Sequence, residues 1–293
     1  MRIGITSPIV VQHPATASAW ERDAGPAELI RIAQTADRLG YHHLTCSEHV
    51  AVPIDVAAER GGTYWDPLAT FGFVAAHTSR IKLATQVLVL GYHHPLEIAK
   101  RYGTLDLVSG GRLVLGLGVG SLREEFDALG ADFAGRGRIA DDALAALRAS
   151  LSRPNPAYHG PYYDFGNVVV EPHAVQPHVP MWIGGRTLRS LRRAVTLGDG
   201  WVPFGLPLLD LERLLEAAEL PHDFTVVLPA SHIDPLGNRS GALRSLERRR
   251  EMGATIVSVS ISATSVSHYC DQLEALHEAC IELDIDFTSE DRP

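Results

Sequence analysis

A chain of 293 residues, 45% hydrophobic and 21% charged, is long enough to bury a sizeable core and too ordinary in composition to be disordered or fibrous. Its formal net charge of −9 argues against nucleic acid and anionic lipid as partners, so the expected partner is a small molecule. Cys46, Cys270 and Cys280 are odd in number and lack C-x-x-C spacing, which argues against a disulfide framework and against a cysteine zinc site.

In chain order, short β-branched runs fall at 2–6, 43–46, 81–88, 112–118, 181–184, 200–202, 224–228 and 255–261. Apolar residues at three- and four-residue spacing predict helices near 27–39, 66–78, 94–108, 137–151, 187–197, 208–218, 240–252 and 266–283. Asp66-Pro67 reads as an N-cap followed by a first-turn proline, and Ser109-Gly110-Gly111 as a helix stop. Consecutive apolar positions such as Leu113-Val114-Leu115 suit parallel strands covered on both faces. Strict alternation of this kind predicts one (β/α)8 TIM barrel spanning residues 1–293, with an insertion around 153–180 rich in Pro, Tyr and His. The opening residues lack a secretory pattern, and no run reaches the ~20 apolar residues of a membrane span, so a cytoplasmic location is expected.

Chemistry in such a barrel belongs at the C-terminal ends of the strands. Ser47-Glu48-His49 follows the second strand, and an imidazole there suits proton transfer near neutral pH. Ile183-Gly184-Gly185-Arg186-Thr187 runs from the fifth strand into a helix, as a phosphate cradle or as a plain turn. Arg189, Arg192 and Arg193 follow, either extending the positive field or forming a solvated face. Gly116-Leu117-Gly118-Val119-Gly120 has the wrong spacing for a dinucleotide fingerprint, and its glycines would instead let a flat ring lie close to the strand ends. The pairs His42-His43 and His93-His94 do not suggest a metal site, since neighbours on a strand face opposite ways. Loops 53–65 and 153–180 are the expected pocket walls; Tyr64, Trp65, Tyr158, Tyr162 and Tyr163 either line the pocket or anchor the loops.

Several segments in this order resemble the luciferase-like monooxygenase family, in particular its coenzyme F420-dependent actinobacterial branch. They are Leu39-Gly40-Tyr41 with Ser47-Glu48-His49, the run 80–90, His94-Pro95, Leu105-Asp106, Ser109-Gly110-Gly111-Arg112, Glu125-Phe126, Ile183-Gly184-Gly185 and Gly198-Asp199-Gly200-Trp201. They cover residues 1–202; the rest matches only in its β/α alternation. The resemblance implies a flavin or deazaflavin across the barrel mouth, its phosphate near Gly184, Gly185 and Thr187, and a cis peptide at Gln86–Val87. Gln86, Val87, Gly118, Gly184, Gly185, Arg186 and Thr187 form the candidate cofactor set. His49 takes the position of an acid–base histidine and Glu48 that of the acidic neighbour that orients it. Ser121 stands where some relatives carry a glutamate, which argues against their sugar-phosphate chemistry.

The expected activity is therefore hydride transfer between F420 and a small organic substrate, by a homodimer paired through barrel helices. The alternatives are an FMN-dependent monooxygenase and a non-catalytic flavin- or deazaflavin-binding barrel. A phosphate-binding isomerase or lyase would need a lysine or a carboxylate pair at the strand ends, and Pro203-Phe204 and Ser262 supply neither.

Overall fold

The structure, a computed structural model, describes residues 1–14, 16–285 and 287. Eight parallel strands form the barrel: β1 (Arg2–Ile5), β2 (His43–Cys46), β3 (Lys82–Thr85), β4 (Leu113–Gly118), β5 (Met181–Gly184), β6 (Gly200–Val202), β7 (Thr225–Ile233) and β8 (Ile256–Ile261). Each pairs with its sequence neighbour, β8 returns to β1 in the register Ile256↔Arg2, and β3 meets β4 at Leu83↔Leu113, so the sheet closes. The expected third strand is interrupted at Gln86–Val87, whose peptide is cis, and resumes as Leu88–Val89 against Leu117 and Gly118.

The helices are α1 (Pro26–Leu39), α2 (Ile54–Arg60), α3 (Pro67–Ala75), α4 (Pro95–Ser109), α5 (Arg123–Leu129), α6 (Arg136–Ser150), α7 (Leu188–Leu197), α8 (Leu208–Glu216), α9 (Arg239–Glu251) and α10 (Val266–Ile281), of which α2 and α5 lie in the loops after β2 and β4 and the others form the outer layer. The expected punctuation is in place. Asp66 accepts the Ala69 N–H at 2.8 Å to start α3, and Gly110 ends α4 in the left-handed region at φ 71°. The sequence pattern does not reveal α2 or α5. No residue of α2 is buried, so it carries no apolar stripe, and α5 is too short to show a period.

The strands are apolar on consecutive positions because both faces are covered. Ile3, Leu44, Leu83, Leu113, Leu115 and Val257 point outward into the helical layer, whereas Ala84, Val114, Trp182, Val202, Val227 and Ile256 form a layer inside the barrel. Large rings inside demand glycine opposite them. A Cβ on Gly4 would lie 2.1 Å from the His43 ring, and one on Gly200 would lie 2.8 Å from Trp182.

Carboxylates pin the end of the barrel where the strands begin. Asp37, at the end of α1, accepts the N–H groups of Ser79, Arg80 and Ile81 ahead of β3. Asp106 accepts from Leu113 and Gln176, and Asp199 from Met181 and Arg148. The insertion carries a small hairpin, Tyr158–His159 with Asp164–Phe165, tied to α6 by Asp142, which accepts the Tyr158 hydroxyl at 2.5 Å and the Tyr162 and Tyr163 N–H groups. No helix among the described residues is long and apolar enough to cross a membrane.

Candidate active site

The chain leaves β2 through Ser47-Glu48-His49, beside the interruption of β3, and the two segments are laced together. Ser47 Oγ donates to the Gln86 carbonyl at 2.6 Å, and the Glu48 N–H donates to the Val87 carbonyl at 3.3 Å. Glu48 Oε2 accepts the Val89 N–H and Oε1 the His93 Nε2–H, each at 2.7 Å. Glu48 therefore clamps the kinked strand. The expectation that it orients His49 is corrected here, because both of its oxygens are engaged elsewhere. Burial would lower the pKa of His93, but the Glu48 carboxylate outweighs burial and raises it.

His49 has a different partner. Its Nδ1 lies 2.7 Å from Oε2 of Glu125, which projects from α5 after β4 and is fully buried. The other Glu125 oxygen accepts the N–H groups of Val50 at 2.6 Å and Ala51 at 3.1 Å, and Oε2 also accepts the Tyr92 hydroxyl at 2.8 Å. Burial pushes the Glu125 pKa up, but the hydrogen bonds from His49, Ala51 and Tyr92 hold it below the ordinary carboxylate value. Tyr92 is pushed well above the usual phenol range by burial and by Glu125, so it stays a donor. The edge of Tyr64, from loop 53–65, packs on the His49 ring at 4.5 Å, and 21% of the His49 side chain remains exposed.

The glycines of β4 and β5 make room for the kink. A Cβ on Gly116 would lie 1.8 Å from the Thr85 carbonyl oxygen, one on Gly118 2.5 Å from Val87 Cγ2, and one on Gly184 2.7 Å from Val87 Cγ1. Gly118 thus turns its bare face to Val87, and Gln86 and Val87 stay half-buried. The loop after β1 holds its backbone in an unusual state. Ile9, fully buried and β-branched, sits at φ 75°, with its N–H donated to the buried Glu21 at 2.8 Å.

Across the mouth, β5 runs through Gly184 and Gly185 into α7. Gly185 has φ 148°, and a Cβ there would meet Ser190 at 2.4 Å. Thr187 caps α7, its Oγ accepting the Ser190 N–H at 3.2 Å. The first-turn N–H groups of Leu188 and Arg189 have no acceptor among the described residues, and Arg186 and Thr187 are exposed. A helix start with spare N–H groups beside a guanidinium is a donor set that fits a phosphate. Of the following arginines, Arg193 is engaged by Asp141, while Arg189 and Arg192 stay exposed.

Two other sequence readings are resolved by the structure. Residues 153–180 connect α6 to β5, with Tyr158 tied to Asp142 and Tyr163 packed against His94, so these tyrosines anchor the insertion. The His42 and His43 rings do not diverge, since His42 precedes the strand and their Nδ1 atoms lie 2.9 Å apart. His43 is buried inside the barrel against Trp182 and Ser258, its pKa lowered by burial, and then by Lys82, to about 3. The residues that sequence reasoning left without a role are Glu125, Tyr92 and His93. Glu125-Phe126 was visible as part of the family pattern, but its partner across the mouth lies 76 residues away.

The geometry agrees with the comparisons. The family model described as luciferase-like monooxygenase matches residues 1–223, and the chain belongs to that family. An uncharacterized protein of Mycobacterium tuberculosis is 27% identical over 281 residues, covering 89% of this chain and 96% of the relative. Among solved structures, the monooxygenase RslO1 from Streptomyces bottropensis superposes with a TM-score of 0.73 at 24% identity, covering 97% of this chain and 99% of that one. An F420-dependent secondary alcohol dehydrogenase in complex with an F420-acetone adduct superposes with a TM-score of 0.70 at 15% identity, covering 95% and 98%. At these identities the two structures establish the fold.

Proposed function

We propose that this chain is a coenzyme F420-dependent oxidoreductase that transfers a hydride between the deazaflavin and a small organic substrate, with His49 exchanging a proton with that substrate. The observation that carries the reading is the arrangement at one barrel mouth. An imidazole held on a buried carboxylate, a kinked strand and an open helix start all lie at the C-terminal ends of the barrel strands. A bound deazaflavin would supply the hydride carrier, since its reactive position is a carbon suited to two-electron transfer.

The chain's own residues do the rest. Gly185, Arg186 and Thr187, with the first-turn N–H groups of α7, would hold the phosphate, and Gln86 and Val87 would support the ring. Exposed Arg189 and Arg192 lie in the first and second turns of α7, where they can meet an acidic tail. His49 takes the proton from a substrate heteroatom as hydride leaves the adjacent carbon, and returns it in the reverse direction, so no proton is stranded. Tyr64 packs against this imidazole and leaves part of it open.

The test is a fluorescence titration of the purified protein with F420 and with FMN. Micromolar or tighter binding of F420, with FMN at least about tenfold weaker, is expected, a difference of roughly 1.4 kcal/mol. Preferential binding of FMN would replace this reading with the flavin monooxygenase, and binding of neither would leave a barrel without this chemistry.

A further inference from the structure

Among the described residues, His49 makes one side-chain hydrogen bond, through Nδ1, and that bond goes to a carboxylate that can only accept. Glu125 is fully buried and already receives the Val50 N–H, the Ala51 N–H and the Tyr92 hydroxyl, three donors arranged around an ionised group. Nδ1 must therefore carry a hydrogen, which in the neutral ring leaves Nε2 with the lone pair. Four donors converging on one carboxylate also fix the plane of the ring. Glu48, though adjacent in sequence, plays no part in this, because it is bound to His93 and Val89.

We infer that Glu125, backed by Tyr92, is the positioning residue that locks His49 in the Nδ1–H tautomer and presents Nε2 to the substrate. This rests on the reading of His49 as the proton-exchanging group. Glu125 does not touch the reacting atoms. It removes the alternative tautomer, in which Nε2 would carry the hydrogen and could accept nothing.

The experiment uses the full chain labelled with 15N-histidine, with the His49 signals assigned by their loss in His49→Gln. Long-range 1H–15N correlations report which ring nitrogen is protonated, with no cofactor needed. In the wild type, a protonated Nδ1 and a bare Nε2 are expected in the neutral ring. Glu125→Gln, whose amide both donates and accepts, should give mixed tautomers and a loss of kcat of roughly 100-fold. F420 affinity should stay within about twofold of the wild type, about 0.4 kcal/mol. Tyr92→Phe keeps the carboxylate, so the tautomer should persist and kcat should fall less than about tenfold.

An Nε2–H tautomer in the wild type, or a Glu125→Gln protein with unchanged tautomer and kcat, would overturn the inference. A Glu125→Gln protein that also loses F420 affinity would overturn it as well, since that marks a packing role. Wild-type turnover in His49→Gln would instead overturn the reading of His49 and leave the Glu125 assignment to the spectrum.

Discussion

The two ends of the barrel use the same residue types for opposite purposes. Where the strands begin, the carboxylates of Asp37, Asp106 and Asp199 accept backbone N–H groups and staple helix ends to strand starts. His43 there is kept neutral among Trp182, Ser258 and Gly4. Where the strands end, the buried carboxylates of Glu48 and Glu125 each hold an imidazole, and both rings are partly open to solvent, His49 more than His93. An imidazole inside the closed end fills space, while His49, beside a carboxylate at the open end, is oriented and partly exposed. The lesson is that neither histidine nor carboxylate alone marks a site; the pairing and the strand end do.

Acid should separate the two ends most strongly. The folded pKa of His43 lies below the ordinary value of 6.5, at about 3. Its contribution to stability is therefore complete above pH 6.5 and is lost as pH falls towards 3, at about 1.4 kcal/mol per pH unit. For His93 the shift has the opposite sign, so its contribution is complete below 6.5 and is lost as pH rises through its folded value. Urea unfolding between pH 4 and 8, compared with His43→Gln, should show the acid slope reduced in the variant. An identical slope in both proteins would place the acid sensitivity elsewhere.

A smaller effect is expected from the staples. Asp37→Asn replaces one acceptor oxygen with a donor facing the Ser79, Arg80 and Ile81 N–H groups, and should cost roughly 1–3 kcal/mol. Because the Asp37 pKa is held below 3.8 by those N–H groups against the opposing effect of burial, the wild-type contribution is present above that pH and is lost as pH falls through the folded value. Thermal unfolding at pH 7 measures the cost. Unaltered cofactor binding in the same variant would confirm that the two ends act separately.

The fold was largely legible because its code is local. Periodicity places all eight barrel strands and their helices, and the caps at Asp66 and Gly110 mark where helices start and stop. The helix start at Thr187 followed from the same periodicity, whereas the kink at Gln86–Val87 was legible only through the family pattern. What stayed hidden depended on contacts across the mouth. Adjacency made Glu48 the apparent partner of His49, yet Glu125 reaches the ring from α5, whose seven residues show no period. Likewise, the sequence left open whether the aromatic residues of the insertion line the pocket or anchor the loop, and their ties to Asp142 and His94, distant in the chain, favour anchoring.

The most direct test of the central claim is anaerobic oxidation of reduced F420, followed spectroscopically with a panel of small carbonyl compounds, in the wild type and in His49→Ala. Wild-type turnover without dioxygen is expected, with a loss of about 10²- to 10⁴-fold in the variant and unchanged F420 binding. Equal rates in the two proteins, or turnover sustained only by reduced FMN with dioxygen, would contradict the account.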